Sequence, residues 1–217
     1  PAVPHHYSAA EPTGKRLNKE ALRAVLGLAD SPAPILALIS RLYDRQGMDW
    51  AGPGLPALSA QGIRCFVRGA GERGYEDCRR PQAEQNPLQM SASIGFDHHL
   101  AQLIYAGADM VLMASRFEPC GLGQLIGMRY GTIPVVRATG GLVDTVHDYD
   151  PIREEGNGFM FVEYDPWQLF AAVIRGVETF RHRDDWDLLV RRDMQQDVSW
   201  APSARRYVEL YRTPIVP

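Results

Sequence analysis

Short apolar or strand-like runs, separated by stretches with helical spacing, set the pattern of this 217-residue chain. Ile35–Ile39 (ILALI) is all apolar, as expected for a strand buried on both faces of a sheet, and Ile63–Val67, Met90–Ile94, Met110–Met113 and Ile133–Val136 predict further strands. Asn18 predicts the cap of a helix running to about Leu26, and Gly27 its end. Asp97 caps a second helix through about Ala106. Beyond Asp165 the pattern turns helical. Pro166 suits a first turn, and Trp167, Phe170, Val173, Ile174 and Val177 follow at helical spacing. Asp184–Gln196 and Ser203–Tyr211 predict two further helices. The first 16 residues carry Pro1, Pro4, Pro12 and Gly14 and read as an extended lead-in. Strands alternating with helices predict an α/β, Rossmann-like parallel sheet with helices on both faces and a helical C-terminal tail.

In such a sheet, ligands bind beyond the carboxyl ends of the strands. The turns after the five runs therefore share one edge, and they hold Arg41, Gly69–Gly71, Phe96, Glu118–Gly121 and Thr139–Gly141. Residues 115–146, SRFEPCGLGQLIGMRYGTIPVVRATGGLVDTV, are the most informative run. Two glycine-bearing turns, CGLG and TGG, each precede a helix-like stretch. A helix start presents unpaired N–H groups and the positive end of its dipole, which suits a phosphate. Glu118 stands beside the first turn and can accept hydrogen bonds from sugar hydroxyls. Anion cradles beside a sugar-reading carboxylate point to a nucleotide-sugar site.

Composition narrows this without redirecting it. Hydrophobic residues make up 45% of the chain, ordinary for a globular protein. A formal net charge of −3 argues against a nucleic-acid binder. Cys65, Cys78 and Cys120 form no CxxC pair, which suits a reducing compartment, and no metal cluster is expected. His5, His6, His147 and His182 show no ligand spacing, and His98 and His99 read as solvated residues at a helix start. No apolar stretch is long enough to span a bilayer, and no secretory signal is visible. Only Lys15 and Lys19 are lysines, against 21 arginines, a bias that codon usage explains. The chain begins with Pro1 and reads as a piece of something longer.

The segments EPCG, RYGTIPVVR and TGGLVDTV, with GKRLNKEALRAVLGL near the start, SRLYDRQGMD at 40–49, GFDHHLAQLIYAGADM at 95–110 and SWAPSARRYVELYR at 199–212, resemble the C-terminal half of bacterial glycogen synthases and plant starch synthases. The resemblance covers nearly the whole chain and is weakest over roughly 50–93. It implies one half of a GT-B architecture, in which two Rossmann-like domains face each other across a cleft. On that basis residues 1–16 form an interdomain lead-in and 17–182 a nucleotide-sugar-binding domain. Residues 183–217 become helices that pack back toward the other, N-terminal domain. The implied reaction moves glucose from ADP-glucose, or UDP-glucose, to the non-reducing end of an α-1,4-glucan acceptor with retention. It implies no metal, no cofactor, no nucleic acid and no membrane. The implied location is the cytoplasm, or a plastid for a plant protein.

Residue by residue, Arg41 matches the family arginine on the donor diphosphate, where charge builds as the glycosidic bond breaks. Glu118 matches the carboxylate at the glucose hydroxyls, and its alternative is a carboxylate that stabilises a helix dipole. Cys120, Gly121 and Leu122 match backbone donors to sugar or phosphate; Cys120 also suits a small buried hydrophobe. Thr139, Gly140 and Gly141 match the phosphate-cradling turn, and Gly69 and Gly71 join the donor-binding set. Phe96 stands where the family often has Tyr near the adenine, with an ordinary core aromatic as its other reading. Trp200 and Tyr211 read either as interdomain anchors or as core.

Two departures stand out. The family usually reads QKG where this chain has Arg45-Gln46-Gly47, so a second cation on the diphosphate is replaced by neutral Gln46. Arginine and lysine differ in reach, so Arg45 is not an equivalent substitute. The segment Ala51–Pro56 (AGPGLP) also places Pro53 and Pro56 where the family runs a helix. These features keep an alternative in view, a non-catalytic or weakened nucleotide-sugar-binding relative. An epimerase of similar architecture fits the EPCGL and TGGL context less well.

Overall fold

The computed structural model describes residues 3–39, 57, 58, 60–69, 90–94 and 97–213. Arg41, Arg45, Gln46, the Ala51–Pro56 segment, Gly71, Cys78 and Phe96 lie outside the described residues.

Six strands, β1 (Ile35–Ile39), β2 (Arg64–Gly69), β3 (Met90–Ile94), β4 (Met110–Met113), β5 (Ile133–Arg137) and β6 (Phe159–Phe161), form one sheet in the order β3-β2-β1-β4-β5-β6. Every described pairing is parallel. The order reverses between β1 and β4, so the crevice beyond their carboxyl ends is where this topology opens a ligand site. The helices are α1 (Thr13–Leu26), α2 (His98–Gly107), α3 (Gly123–Arg129), α4 (Gly141–Thr145), α5 (Pro166–Arg181), α6 (Arg183–Gln195) and α7 (Trp200–Arg212).

Strands β1, β4 and β5 are nearly all apolar because both faces are covered. On one face Leu36, Leu38, Met110, Leu112, Ile133 and Val135 meet Val173 and Val177 of α5 and Trp186 and Leu189 of α6. On the other, Ile35, Ala37 and Phe66 meet Leu22 of α1 and Leu103 and Ile104 of α2. A third cluster joins Met128, Val136, Leu142 and Val146 beneath α3 and α4. Within α5 the buried face is Leu169, Ala172, Val173, Val177 and Phe180, while Trp167 is exposed. Asp97 accepts from the His99 and Leu100 N–H groups, and Asp165 from those of Trp167 and Gln168, as capping carboxylates do.

Two differences from the sequence pattern have clear causes. Asn18 does not cap α1, which starts at Thr13 and so takes in the end of the segment read as extended. Asn18 is buried mid-helix, where its Nδ2 donates to the Gly14 and His5 carbonyls and its Oδ1 accepts from the His5 N–H. The side chain thus ties the lead-in to the helix instead of starting the helix. Strand β6 has no counterpart among the predicted runs; it is three residues long and, among the described strands, pairs with β5 alone. Helix α6 packs into the main core through Trp186 and Leu189, whereas α7 buries none of its residues.

Lys15 lies under α1 with its Nζ donating to Ala108 O (2.9 Å), Tyr130 O (3.0 Å), Ala106 O (3.3 Å) and Thr132 Oγ1 (2.9 Å). It thereby gathers carbonyls from the end of α2 and from the α3–β5 turn, which also accept from the Tyr7 and Thr132 hydroxyls. Burial pushes its ammonium down to about 7, while the Asp109 charge opposes that fall.

Candidate functional site

The loops after β4 and β5 carry the two glycine turns, and adjacency of these strands brings the turns into contact. Gly141 N–H donates to the carbonyls of both Glu118 and Pro119, each at 3.2 Å. Gly140 has φ +50°, and a Cβ there would overlap the Glu118 carbonyl oxygen. A Cβ on Gly141 would stand 2.5 Å from Cys120 O. The TGG turn is therefore glycine because another main chain passes against it.

The first turn is held from inside by Gln124, a fully buried residue. Its Nε2 donates to Cys120 O (3.2 Å) and Gly121 O (3.1 Å) and reaches Thr145 Oγ1 on α4 (3.1 Å). Thr145 Oγ1 in turn donates to Gly141 O at 2.9 Å. Gly121 has φ +73° and sits against the Gln124 amide. A side-chain bridge thus runs from one turn to the other, and sequence reading assigned no role to Gln124 or Thr145. The signal was present, since Gln124 falls three residues after Gly121 in the same run.

Glu118 is half-buried at the mouth of the loop, and its Oε2 accepts from Ser115 Oγ at 3.1 Å. Ser115 is buried at the end of β4 and fixes the carboxylate's direction. Cys120 is exposed, so the buried-hydrophobe reading of this thiol does not hold. Leu122 is exposed as well. Arg116 and Arg137 both stack on Tyr164 beside this loop, at 4.5 and 5.5 Å.

The two turns offer different amides. Helix α3 begins at Gly123 with no side-chain cap, and the N–H groups of Gly121 and Leu122 meet no acceptor among the described residues. In α4 the Gly141, Leu142 and Val143 N–H groups are already bonded to carbonyls. Amides without an acceptor among the described residues thus remain at Gly121 and Leu122, while Gly141 acts as the brace between the turns. Of the residues singled out from sequence, Glu118, Cys120, Gly121, Leu122, Thr139, Gly140 and Gly141 are gathered here. Gly69 ends β2 on the same edge. Arg41 follows β1 and lies outside the described residues, as do Gly71 and Phe96.

His98 and His99 are exposed at the start of α2, and Asp184 and Asp185 occupy the first turn of α6. Trp200 is 83% and Tyr211 80% exposed, so neither is a core residue of this unit. Among the described residues, no group of His, Cys, Asp and Glu could hold a metal ion. Among the same residues, no helix is long and apolar enough to cross a membrane.

Residues 33–179 match the family described as glycosyl transferases group 1. The chain is 46% identical over 214 residues to the glycogen synthase of Anaeromyxobacter dehalogenans strain 2CP-1, covering 98% of this chain and 45% of that one. It is 45% identical over 213 residues to the glycogen synthase of Syntrophotalea carbinolica, covering 98% and 44%. Its fold superposes on the catalytic domain of starch synthase IV from Arabidopsis thaliana bound to ADP and acarbose, with a TM-score of 0.90, 32% identity, and 97% and 45% coverage. The chain spans about half the length of the curated relatives it matches. The sheet, its flanking helices and that share correspond to one Rossmann-like half of a GT-B glycosyltransferase. On the family match over most of its length, and in agreement with the site motifs, this chain belongs to the group 1 glycosyl transferases.

Proposed function

We propose that the chain is the donor-binding half of a glucan synthase that transfers glucose from ADP-glucose to the non-reducing end of an α-1,4-glucan, with retention. The observation that carries this reading is the pair of glycine turns locked together beside the crevice between β1 and β4, with Glu118 at its mouth. The amides of Gly121 and Leu122 and the uncapped start of α3 would hold the donor diphosphate. Thr139 and Gly140 would close on it from the other side, and Arg41, Gly69 and Gly71 would complete the cradle. As the sugar–phosphate bond breaks, negative charge grows on the departing phosphate. Amides fixed in advance by Gln124 and Gly141 stabilise that charge without reorganising. Glu118, aimed by Ser115, would accept from the glucose hydroxyls and orient the sugar. Phe96 would lie near the adenine.

ADP over UDP is favoured by the ADP named with the Arabidopsis relative. The acceptor and the remaining groups at the anomeric carbon would come from the other GT-B half, against which α7 would pack with Trp200 and Tyr211. The bacterial relatives favour a cytoplasmic site of action over a plastid. Calorimetric titration of the whole protein with ADP, UDP and ADP-glucose tests the reading. ADP should bind and UDP more weakly, and this chain alone should bind ADP yet turn over little. The absence of ADP binding to the two-domain protein would favour a non-catalytic relative instead.

A further inference from the structure

A pocket of about 960 Å³ opens at the edge of the sheet opposite the glycine turns. Its floor is the amino end of the strands: Pro34 precedes β1, Asp109 precedes β4, and Arg64 opens β2. Seven of its lining residues are basic and three acidic, in a chain whose formal net charge is −3. Both lysines of the chain, Lys15 and Lys19, are among them.

Helix ends do not account for this charge. Arg23 and Arg181 sit in last turns, where a cation answers the helix dipole. Lys15 and Arg16 instead lie in the first turn of α1, which has no acidic residue and where the dipole repels cations. Arg183 opens α6, again at the repelling end. Arg64 is on a strand. Its guanidinium has no hydrogen bond or ion pair among the described residues, and its Nε is buried without a partner. The Arg23 Nε is buried without a partner too.

The acidic residues do not neutralise the pocket. Asp109 is taken by Lys19 at 2.6 Å and by the Ile35 N–H at 2.7 Å, and Glu20 by Arg16 at 2.9 Å. Lys19 and Arg183 both rest on the ring of Phe180, at 4.8 and 4.5 Å. Two cations sharing one ring repel each other, and a bridging anion would relieve that repulsion. Arg23 and Arg183 add to burial in holding the Lys19 ammonium below its ordinary value, against the pull of Asp109.

We propose that this pocket binds a compact anion bearing at least two phosphate charges, held by Arg64, Arg183 and Arg16 and remote from the glycine turns. Guanidinium forks pair with phosphate oxygens two at a time, which suits this ligand to Arg64, unpaired among the described residues, with the exposed Arg16 and Arg183 turning to it from Glu20 and the Phe180 carbonyl. The proposal does not depend on what the glycine turns bind.

The whole protein, saturated with ADP to occupy the other edge, is titrated calorimetrically at low ionic strength with inorganic pyrophosphate, with orthophosphate and with glucose 1,6-bisphosphate. Pyrophosphate or the bisphosphate should bind at one site, and orthophosphate about tenfold more weakly. The tighter of the two identifies the source as inorganic or sugar-borne. Arg64→Gln and Arg183→Gln should each weaken binding about tenfold and leave ADP affinity within about twofold. Arg183 and Arg16 are exposed, so Arg183→Gln and Arg16→Gln carry the test should Arg64→Gln fail to fold. Equal affinity in the wild-type protein and these variants, or no heat for any probe at millimolar concentration, would overturn the proposal.

Discussion

At the carboxyl edge of the sheet the polar groups on offer are main-chain amides, with one carboxylate, Glu118, beside them. At the amino edge they are long cationic side chains around a pocket. Amides fixed by the turns cannot move aside, so the carboxyl edge holds its geometry before any ligand arrives. The amino edge gathers net charge and leaves Arg64 without a partner among the described residues. Preorganised dipoles suit a reaction in which charge develops along a path. Mobile guanidinium groups suit binding, where reach and bidentate contact decide affinity. The glycines belong to the first strategy, since Gly140 and Gly141 let two main chains touch.

Lys15 ties the amino edge to the core, and its removal should have the largest effect. Lys15→Met removes the cation from the Ala106, Ala108 and Tyr130 carbonyls, which keep the Tyr7 and Thr132 hydroxyls, and should cost about 1.5–3 kcal/mol of stability, read by urea unfolding. At the carboxyl edge, Glu118→Gln should lower turnover about 10²–10³-fold with little change in melting temperature. An equal loss of stability and activity would instead make Glu118 a structural residue. Gln124→Leu keeps the volume but deletes the bridge to Cys120 O, Gly121 O and Thr145. It should raise the donor KM about tenfold and leave pyrophosphate binding at the amino edge unchanged, which separates the two edges directly.

Smaller effects come from groups that belong to neither edge. Asp193 is 1% exposed, and neither carboxylate oxygen has a partner among the described residues. Burial raises its pKa well above the ordinary range, opposed by Arg192. Asp193→Asn should therefore stabilise the protein at neutral pH by about 1–2 kcal/mol in the same unfolding assay.

In that background the pH profile becomes readable. With Lys15 near 7 in the folded chain and about 10.4 when unfolded, the unfolded state holds more protons between these values. Stability should rise with pH through that window, by at most about 1.4 kcal/mol per unit. Its four oxygen partners favour the charged form and make the observed slope shallower. Burial pushes Cys65 and Tyr105 up to about 12. Both stay neutral in the fold where the unfolded chain ionises, so Cys65 should flatten the rise from about pH 9 and, with Tyr105, make stability fall above about pH 10. A profile flat from pH 7 to 9 would mean that Lys15 keeps its ordinary affinity for the proton.

The apolar runs named their strands because a strand covered on both faces needs no alternation, and Ile35–Ile39 and Met110–Met113 appear with the bounds they showed in sequence. The cap at Asp97, the first-turn Pro166 and the stop at Gly27 were equally legible, since each acts within one helical turn. The two glycine turns were visible for the same reason. Asn18 misled because its partner, His5, lies thirteen residues back. Strand β6 was hidden because so short a run carries no period of its own.

Local chemistry in the sequence therefore determined which segments are strands, where helices stop, and where the two glycine turns lie. Tertiary structure alone decided that the turns at 118–121 and 139–141 touch, that Gln124 bridges them, and that Lys15, Arg64 and Arg183 meet at the opposite edge. Backbone preference and side-chain pattern act over a few residues, whereas these contacts follow from strand order, which brings together groups as far apart in the chain as Lys15 and Arg183.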